Sequence, residues 1–319
     1  LRRAIISISP PLAMRNSAST GRGGNVSLGM RMSGAAALAA VLVAMPGAVQ
    51  AQQGMGQPAP GALGFQESAS PIMDFIHWFH NGFLLPIITV ICIFVAGLLA
   101  YCIYRFSEKR NPVPSKTTHH VGLEVAWTVI PVLILIVIAI PSFRLLYQQQ
   151  VIPRADMTIK ATGSSWRWTY DYPDHGNFSF VSNMQTDDER RQRIQAGAPA
   201  REVPRLLAVD NEVVVPVNKT IRVQVTSSDV MHAFAVPGFG IKVDAVPGRL
   251  NETWFRATRE GIFYGQCSEL CGKDHAFMPI AVRVVSEQAF AAWVEDAKKK
   301  FADTGRSTTV AANEIATAR

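Results

Sequence analysis

The chain has 319 residues, 48% of them hydrophobic and 17% charged, with a formal charge of +7 and a mean hydropathy of +0.14. That length holds two or three structural parts, and the balance is slightly too apolar for an average soluble protein. Arg2, Arg3, Arg15, Arg22 and Arg31 supply five of the seven charges within residues 1–51, which contain no acid, so only +2 remains for the rest; without a basic stripe, nucleic acid is not an expected partner.

Residues 1–51 form the expected leader, with a signal peptide over 30–51. Arg31 gives the positive start, residues 35–45 the apolar run, and Val49-Gln50-Ala51 a small-residue cleavage site. A Gly/Pro/Gln-rich linker is expected over 52–74, followed by a transmembrane hairpin over 75–150. Residues 75–104 and 125–143 carry no Asp, Glu, Lys or Arg, and a span needs about 20 apolar residues. The loop between them holds Arg105, Lys109, Arg110 and Lys116 against Glu108, which places it on the cytoplasmic side and both chain ends outside. Cys92 and Cys102 lie in the first apolar run, where a thiol acts as a small hydrophobe.

Residues 151–305 change texture. Short alternating segments at 157–161, 166–172, 212–217, 220–226, 241–246 and 280–285 read as strands, punctuated by Pro216, Pro237-Gly238 and Pro247-Gly248. The expected fold is therefore an all-β sandwich or barrel. Residues 187–201 read as a charged surface insertion. Ser286 reads as the cap of a short closing helix whose apolar face is Phe290, Trp293, Val294, Ala297 and Phe301. A disordered tail is expected over 306–319.

The chemistry concentrates in Cys267-Ser268-Glu269-Leu270-Cys271-Gly272-Lys273-Asp274-His275-Ala276-Phe277-Met278. Cys271, His275 and Met278, with His232 beside an earlier strand, make the Cys/His/His/weak-Met set of a blue-copper carrier. Cys267 adds a second thiolate. Two thiolates can bridge two copper ions, each keeping one terminal His. Met278 would weakly ligate one ion and the Glu269 backbone carbonyl the other. Such a site carries electrons and has no open position for substrate. A closed zinc site is the competing reading, but zinc has no use for Met278, and its knuckles favour Cys-x₂-Cys spacing. A Cys267–Cys271 disulfide is a second alternative in an oxidising compartment. Haem attachment needs Cys-x-x-Cys-His, which is absent.

The motif Cys-x-Glu-x-Cys-Gly-x-x-His-x-x-Met, with His232 upstream, resembles the copper A signature of the cytochrome c oxidase subunit 2 family. The resemblance runs from about residue 75 to 301 and includes Ser228-Asp229-Val230-Met231-His232 and Val246-Pro247-Gly248-Arg249-Leu250-Asn251. It implies a two-helix transmembrane hairpin followed by a cupredoxin-like Greek-key barrel with a short C-terminal helix. It also implies a binuclear copper centre, and a magnesium shared with subunit 1 and touched by the Glu269 side chain. Haems belong to subunit 1. The other implied partners are further oxidase subunits, cytochrome c and membrane lipid. The implied location is the bacterial inner membrane, crossed twice, with both termini and the copper domain on the periplasmic side.

Trp166, Trp168, Tyr170 and Tyr172 alternate and so are expected on one face of a strand, most of them in the core. The resemblance assigns electron entry from cytochrome c to Trp166. It assigns docking of a basic partner to Asp171, Asp210 and Asp229, each of which also reads as an ordinary surface acid. Glu124, three residues before Trp127, reads either as a first-turn helix acid or, by resemblance, as the entrance of a proton-uptake path, with His119 nearby. A quinol oxidase subunit would lack the copper ligands. A stand-alone membrane-anchored copper carrier or copper-binding protein would need neither the hairpin nor Glu124.

Overall fold

The computed structural model describes residues 55–302. The leader and the tail read from the sequence lie outside the described residues.

A helical run covers Pro71–Arg105. It comprises α1 (Pro71–His77), a π-helical stretch over Trp78–Leu84 and α2 (Leu85–Arg105). Ser70 caps α1 by accepting from the Met73 N–H at 3.0 Å, and Pro71 occupies the first turn, where no N–H is needed. The second helix, α3, runs over Val121–Gln150. The most apolar windows of the two runs have mean hydropathies of 2.8 and 2.6, and none of those residues is buried inside the chain. At about 1.5 Å per residue, α3 is longer than the ~30 Å hydrocarbon core. Its ends therefore reach beyond the hydrocarbon core on one or both sides. Pro131 and Pro141 lie inside α3, as spanning helices tolerate.

The remaining strands build two sheets. β2 (Met157–Ser164), β3 (Arg167–Tyr172), β4 (Phe178–Ser182), β6 (Thr220–Ser227) and β9 (Asn251–Arg256) pair in the order β4-β3-β2-β6-β9. β5 (Val213–Pro216), β7 (His232–Val236), β8 (Ile241–Ala245), β10 (Gly261–Cys267) and β11 (Pro279–Val285) pair in the order β5-β11-β10-β7-β8. The pairs β2–β6 and β5–β11 are parallel, so both sheets are mixed. Alternation along β2, β3 and β6 sends Ile159, Trp168, Tyr170, Tyr172, Val223 and Val225 into one shared core. The result is the all-β sandwich that the residue pattern predicted, two mixed sheets where the resemblance implied a Greek-key barrel. α5 (Glu287–Lys300), capped by Ser286, closes one end with Phe290, Val294 and Ala297 buried.

Two expectations need correcting. Part of the stretch read as linker is structured. β1 (Met55–Gly56) pairs in parallel with Ile262 and Phe263 of β10, and Ala69, Ile72 and Met73 are buried. Its Gly/Pro composition concealed these contacts because they are made by backbone and by few side chains. Trp166 does not belong to the aromatic strand either. β3 starts at Arg167, and Trp166 sits in the preceding turn, half-buried against the core. The charged insertion contains α4 (Asp187–Gln195), entered by a reciprocal capping box between Thr186 and Glu189.

Candidate metal centre

The site forms where β7, β10 and β11 meet. Cys267, the last residue of β10, pairs with Phe234 of β7. The antiparallel register carries on through Ser268, whose N–H donates to the Ala233 carbonyl at 3.2 Å. Continuing it brings Glu269 level with His232. The loop re-enters the sheet at Pro279, opposite Gln266, so both of its ends are pinned by one hairpin. Hydrogen bonds from His275 N to Gly272 O and from Phe277 N to Asp274 O hold its shape.

These constraints bring all six sequence-read donors together. The Cys267 and Cys271 sulfurs are 3.9 Å apart, far beyond a disulfide bond of about 2.05 Å, and both thiols are free. His232 Nδ1 lies 3.9 Å from Cys267 Sγ, and His275 Nδ1 lies 3.5 Å from Cys271 Sγ. Met278 Sδ is 3.6 Å from Cys271 Sγ, and the Glu269 carbonyl accepts from Cys267 Sγ at 3.3 Å. The ligand atoms of His232, Cys267 and Cys271 all fall within 4.8 Å of one another. Two thiols this close could both hold the same metal ion. The buried donors are two thiols, a thioether and an imidazole. This soft set is compatible with copper. Burial, and next the neighbouring Cys267 thiol, push the Cys271 thiol up to about 12. A cation between the sulfurs reverses that balance by stabilising the thiolates.

Three supporting residues were not legible as site residues. Gly163 of β2 leaves room for His232: a Cβ there would stand 2.9 Å from His232 Cδ2. A glycine inside a strand is the sequence signal of such close approach. The Trp168 indole N–H donates to the Met278 carbonyl at 3.3 Å, and its ring meets the His232 ring edge-on with centroids 6.2 Å apart. Gly272 has φ of +115°, which L side chains rarely adopt, and packs against the Trp166 ring.

The family model "Cytochrome C oxidase subunit II, periplasmic domain" matches residues 157–285, and "Cytochrome C oxidase subunit II, transmembrane domain" matches residues 58–145. Cytochrome c oxidase subunit 2 of Cereibacter sphaeroides is 51% identical over 281 residues, covering 84% of this chain and 91% of that protein. The chain belongs to the cytochrome c oxidase subunit 2 family. A probable cytochrome c oxidase subunit 2 of Rickettsia bellii is 50% identical over 257 residues, covering 81% of this chain and 91% of that one. The crystal structure of the periplasmic domain of subunit II of Bradyrhizobium japonicum cytochrome oxidase is 64% identical, covering 47% of this chain and 99% of that chain, with a TM-score of 0.42. The transmembrane match and the two apolar helices make the chain a two-pass membrane protein.

The other residues singled out in the sequence lie in the β domain and around the start of α3. The Trp166 indole N–H donates to the Cys271 carbonyl at 3.2 Å, so the ring touches the metal loop. Asp171 faces Lys160 across β2–β3, with 3.7 Å between charged atoms. Asp210 accepts from the Asn183 and Asn211 backbones at 2.8 and 2.7 Å and shapes a turn. Asp229 accepts from Ser165 N and Val230 N, both at 2.7 Å, and its Oδ1 lies 2.9 Å from His232 Nε2. Burial would raise the Asp229 carboxyl, but these hydrogen bonds outweigh it and hold the group below the usual carboxylate range. Glu124 stands in the first turn of α3, where its Oε1 accepts from the capping His120 N–H at 3.3 Å. His119 is 3.2 Å from the Thr118 hydroxyl.

Proposed function

We propose that this chain accepts electrons from cytochrome c at a binuclear copper centre and passes them to haem in subunit 1 of a cytochrome c oxidase, where oxygen is reduced and protons are moved. The observation that carries this reading is the convergence of six donors at one site, four of them buried. Two thiols stand 3.9 Å apart with an imidazole nitrogen beside each.

Cys267 and Cys271 would bridge the two metals as thiolates. His232 and His275 would each terminate one end. Met278 and the Glu269 carbonyl would complete the set as weak donors. When bound, a thiolate-bridged copper pair supplies a one-electron store whose charge is shared over both metals. The chain's own contribution is rigidity: buried donors on a hairpin loop resist the movement that electron transfer would otherwise demand. Electrons would enter at the half-buried Trp166 ring, because it is bonded to the Cys271 backbone and tunnelling falls steeply with distance. Asp171, Asp210 and Asp229 would steer a basic partner. The Glu269 side chain would touch a magnesium at the boundary with subunit 1. Glu124 would serve proton uptake at the cytoplasmic mouth of α3.

The domain reading keeps the leader at 1–51, the hairpin at 75–150, the copper domain at 151–305 and the tail at 306–319; of the linker read over 52–74, Met55–Gly56 and the capped start of α1 belong to folded structure. Both ends and the copper domain would lie on the periplasmic side of a bacterial inner membrane.

The test is copper counting and electron paramagnetic resonance on the assembled oxidase. Two coppers with hyperfine coupling to both nuclei are expected, and Cys271→Ser should abolish that coupling. A single copper, or zinc in material offered both metals, would overturn the assignment.

A further inference from the structure

We propose that Asp229 is a positioning residue for the copper centre: one carboxylate orients His232 and, through Ser165, holds the turn that carries Trp166. The inference rests on the copper reading above.

His232 is completely buried, and its ring has two ends with different duties. Nδ1 faces the sulfurs, 3.9 Å from Cys267. Nε2 is 2.9 Å from Asp229 Oδ1. A nitrogen that binds a metal cannot carry the ring proton, so the proton belongs on Nε2. A carboxylate there selects that tautomer and makes the imidazole a stronger donor. The rest of the pocket fixes position but not tautomer, since the Gly163 backbone and the Trp168 ring offer the ring no hydrogen bond.

The second oxygen has a separate task. Asp229 Oδ2 accepts from Ser165 N at 2.7 Å. Ser165 precedes Trp166, whose indole N–H returns to the Cys271 carbonyl at 3.2 Å. A closed path therefore runs from one metal ligand through Asp229 and the Trp166 turn to the residue of a bridging thiolate. The carboxylate is itself fixed, because Val230 N donates to Oδ1 at 2.7 Å and the Ser227 hydroxyl at 3.3 Å. Among the three acids, Asp229 is the one that bonds a candidate metal ligand. Asp171 and Asp210 engage Lys160 and Asn183 instead. The Asp229 side chain is still 36% exposed, so its charge can face a donor protein while its oxygens hold the site.

The test uses the assembled oxidase carrying Asp229→Ala, Asp229→Asn, Asp171→Asn or Asp210→Asn. Three properties are measured: the reduction potential of the copper centre with small-molecule mediators, copper release to a chelator, and cytochrome c affinity against salt. Mediators need no docking surface, so the first two readouts are blind to steering. Asp229→Ala should raise the potential, because a weaker imidazole donor favours the reduced metal. It should also weaken copper retention about 10–100-fold. Asp229→Asn should shift both less, since an amide oxygen still accepts from Nε2. At saturating cytochrome c, Asp229→Ala should also slow electron entry. Asp171→Asn and Asp210→Asn should change only the salt-dependent affinity.

The partner haem spectrum reports assembly, and if Asp229→Ala fails to assemble, Asp229→Asn decides. Unchanged potential and copper release in both Asp229 variants, with weakened affinity, would reduce Asp229 to a docking charge. Failure of the copper reading itself is distinguishable, because it would appear in the unsubstituted oxidase as a missing or mononuclear copper signal.

Discussion

Replacing Gly163 with alanine tests whether β2 shapes the metal centre from behind. The new Cβ would stand 2.9 Å from His232 Cδ2, 3.0 Å from Cγ and 3.1 Å from Cβ. Carbon atoms rest comfortably at about 3.5–4.0 Å, so the ring must retreat by roughly 0.5 Å or more. His232 has little room to retreat. It is fully buried, its Nε2 is tied to Asp229 at 2.9 Å, and the Trp168 ring stands edge-on to it. Overpacking of this kind costs about 1–3 kcal/mol. The assay is thermal melting of the oxidase at one fixed scan rate, together with the copper hyperfine pattern. Gly64→Ala is the control, because nothing lies within 4 Å of a Cβ there. Gly163→Ala should lower Tm and distort the signal, while Gly64→Ala does neither. Identical melting and identical spectra in the two variants would refute the claim that Gly163 sets the position of His232.

Other substitutions probe the remaining roles. Trp166→Ala should slow electron transfer from cytochrome c far more than it weakens binding, because the ring bonded to the Cys271 carbonyl is removed; an unchanged transfer rate in stopped flow would remove Trp166 from the entry path. Met278→Leu should retain copper but shift the reduction potential, since a weak axial donor tunes more than it anchors; a potentiometric titration matching the parent would contradict this. Glu124→Ala should slow haem reduction at the oxygen site while leaving copper content intact, and Glu124→Asp should recover part of the rate. Because Glu124 also accepts from His120 N, Glu124→Ala should cost about 1 kcal/mol of helix capping. Equal haem-reduction rates across pH would leave that capping bond as its whole contribution.

The hairpin and the donor list were readable because each has a local signature. Uncharged apolar runs identify spanning helices, and Cys267, Cys271, His275 and Met278 lie within one short loop. Strands with clean alternation, such as β2 and β6, were also visible. β7 and β10 were not, because His232–Val236 is buried at every position and lacks a period of two. The role of Asp229 was hidden for a different reason. Its position beside His232 is local, but its bond to Ser165 joins residues that only the pairing of β2 with β6 brings together. Sequence alone showed an acid near His232 and its charge suggested steering, whereas the bonds to Ser165 and His232 appear only in the fold. Trp166 was misplaced because alternation continues through it, whereas the strand begins one residue later.

The junction between α3 and the β domain has a consequence for how the two move. The last turn of α3 does not end in a loose tether. The Trp254 indole N–H donates to the Gln148 carbonyl at 3.1 Å, and the Gln149 amide donates to the Gly240 carbonyl at 3.2 Å. On the other side of the hairpin, Ser70 at the start of α1 donates to the Phe239 carbonyl at 2.7 Å. Both helices thus grip the Phe239–Gly240 corner, and the domain stands on two legs instead of swinging on one. A domain held at both helix ends pivots less about its junction than one hung from a single strand of chain, so its metal loop is held at a more even height over the helices that carry it.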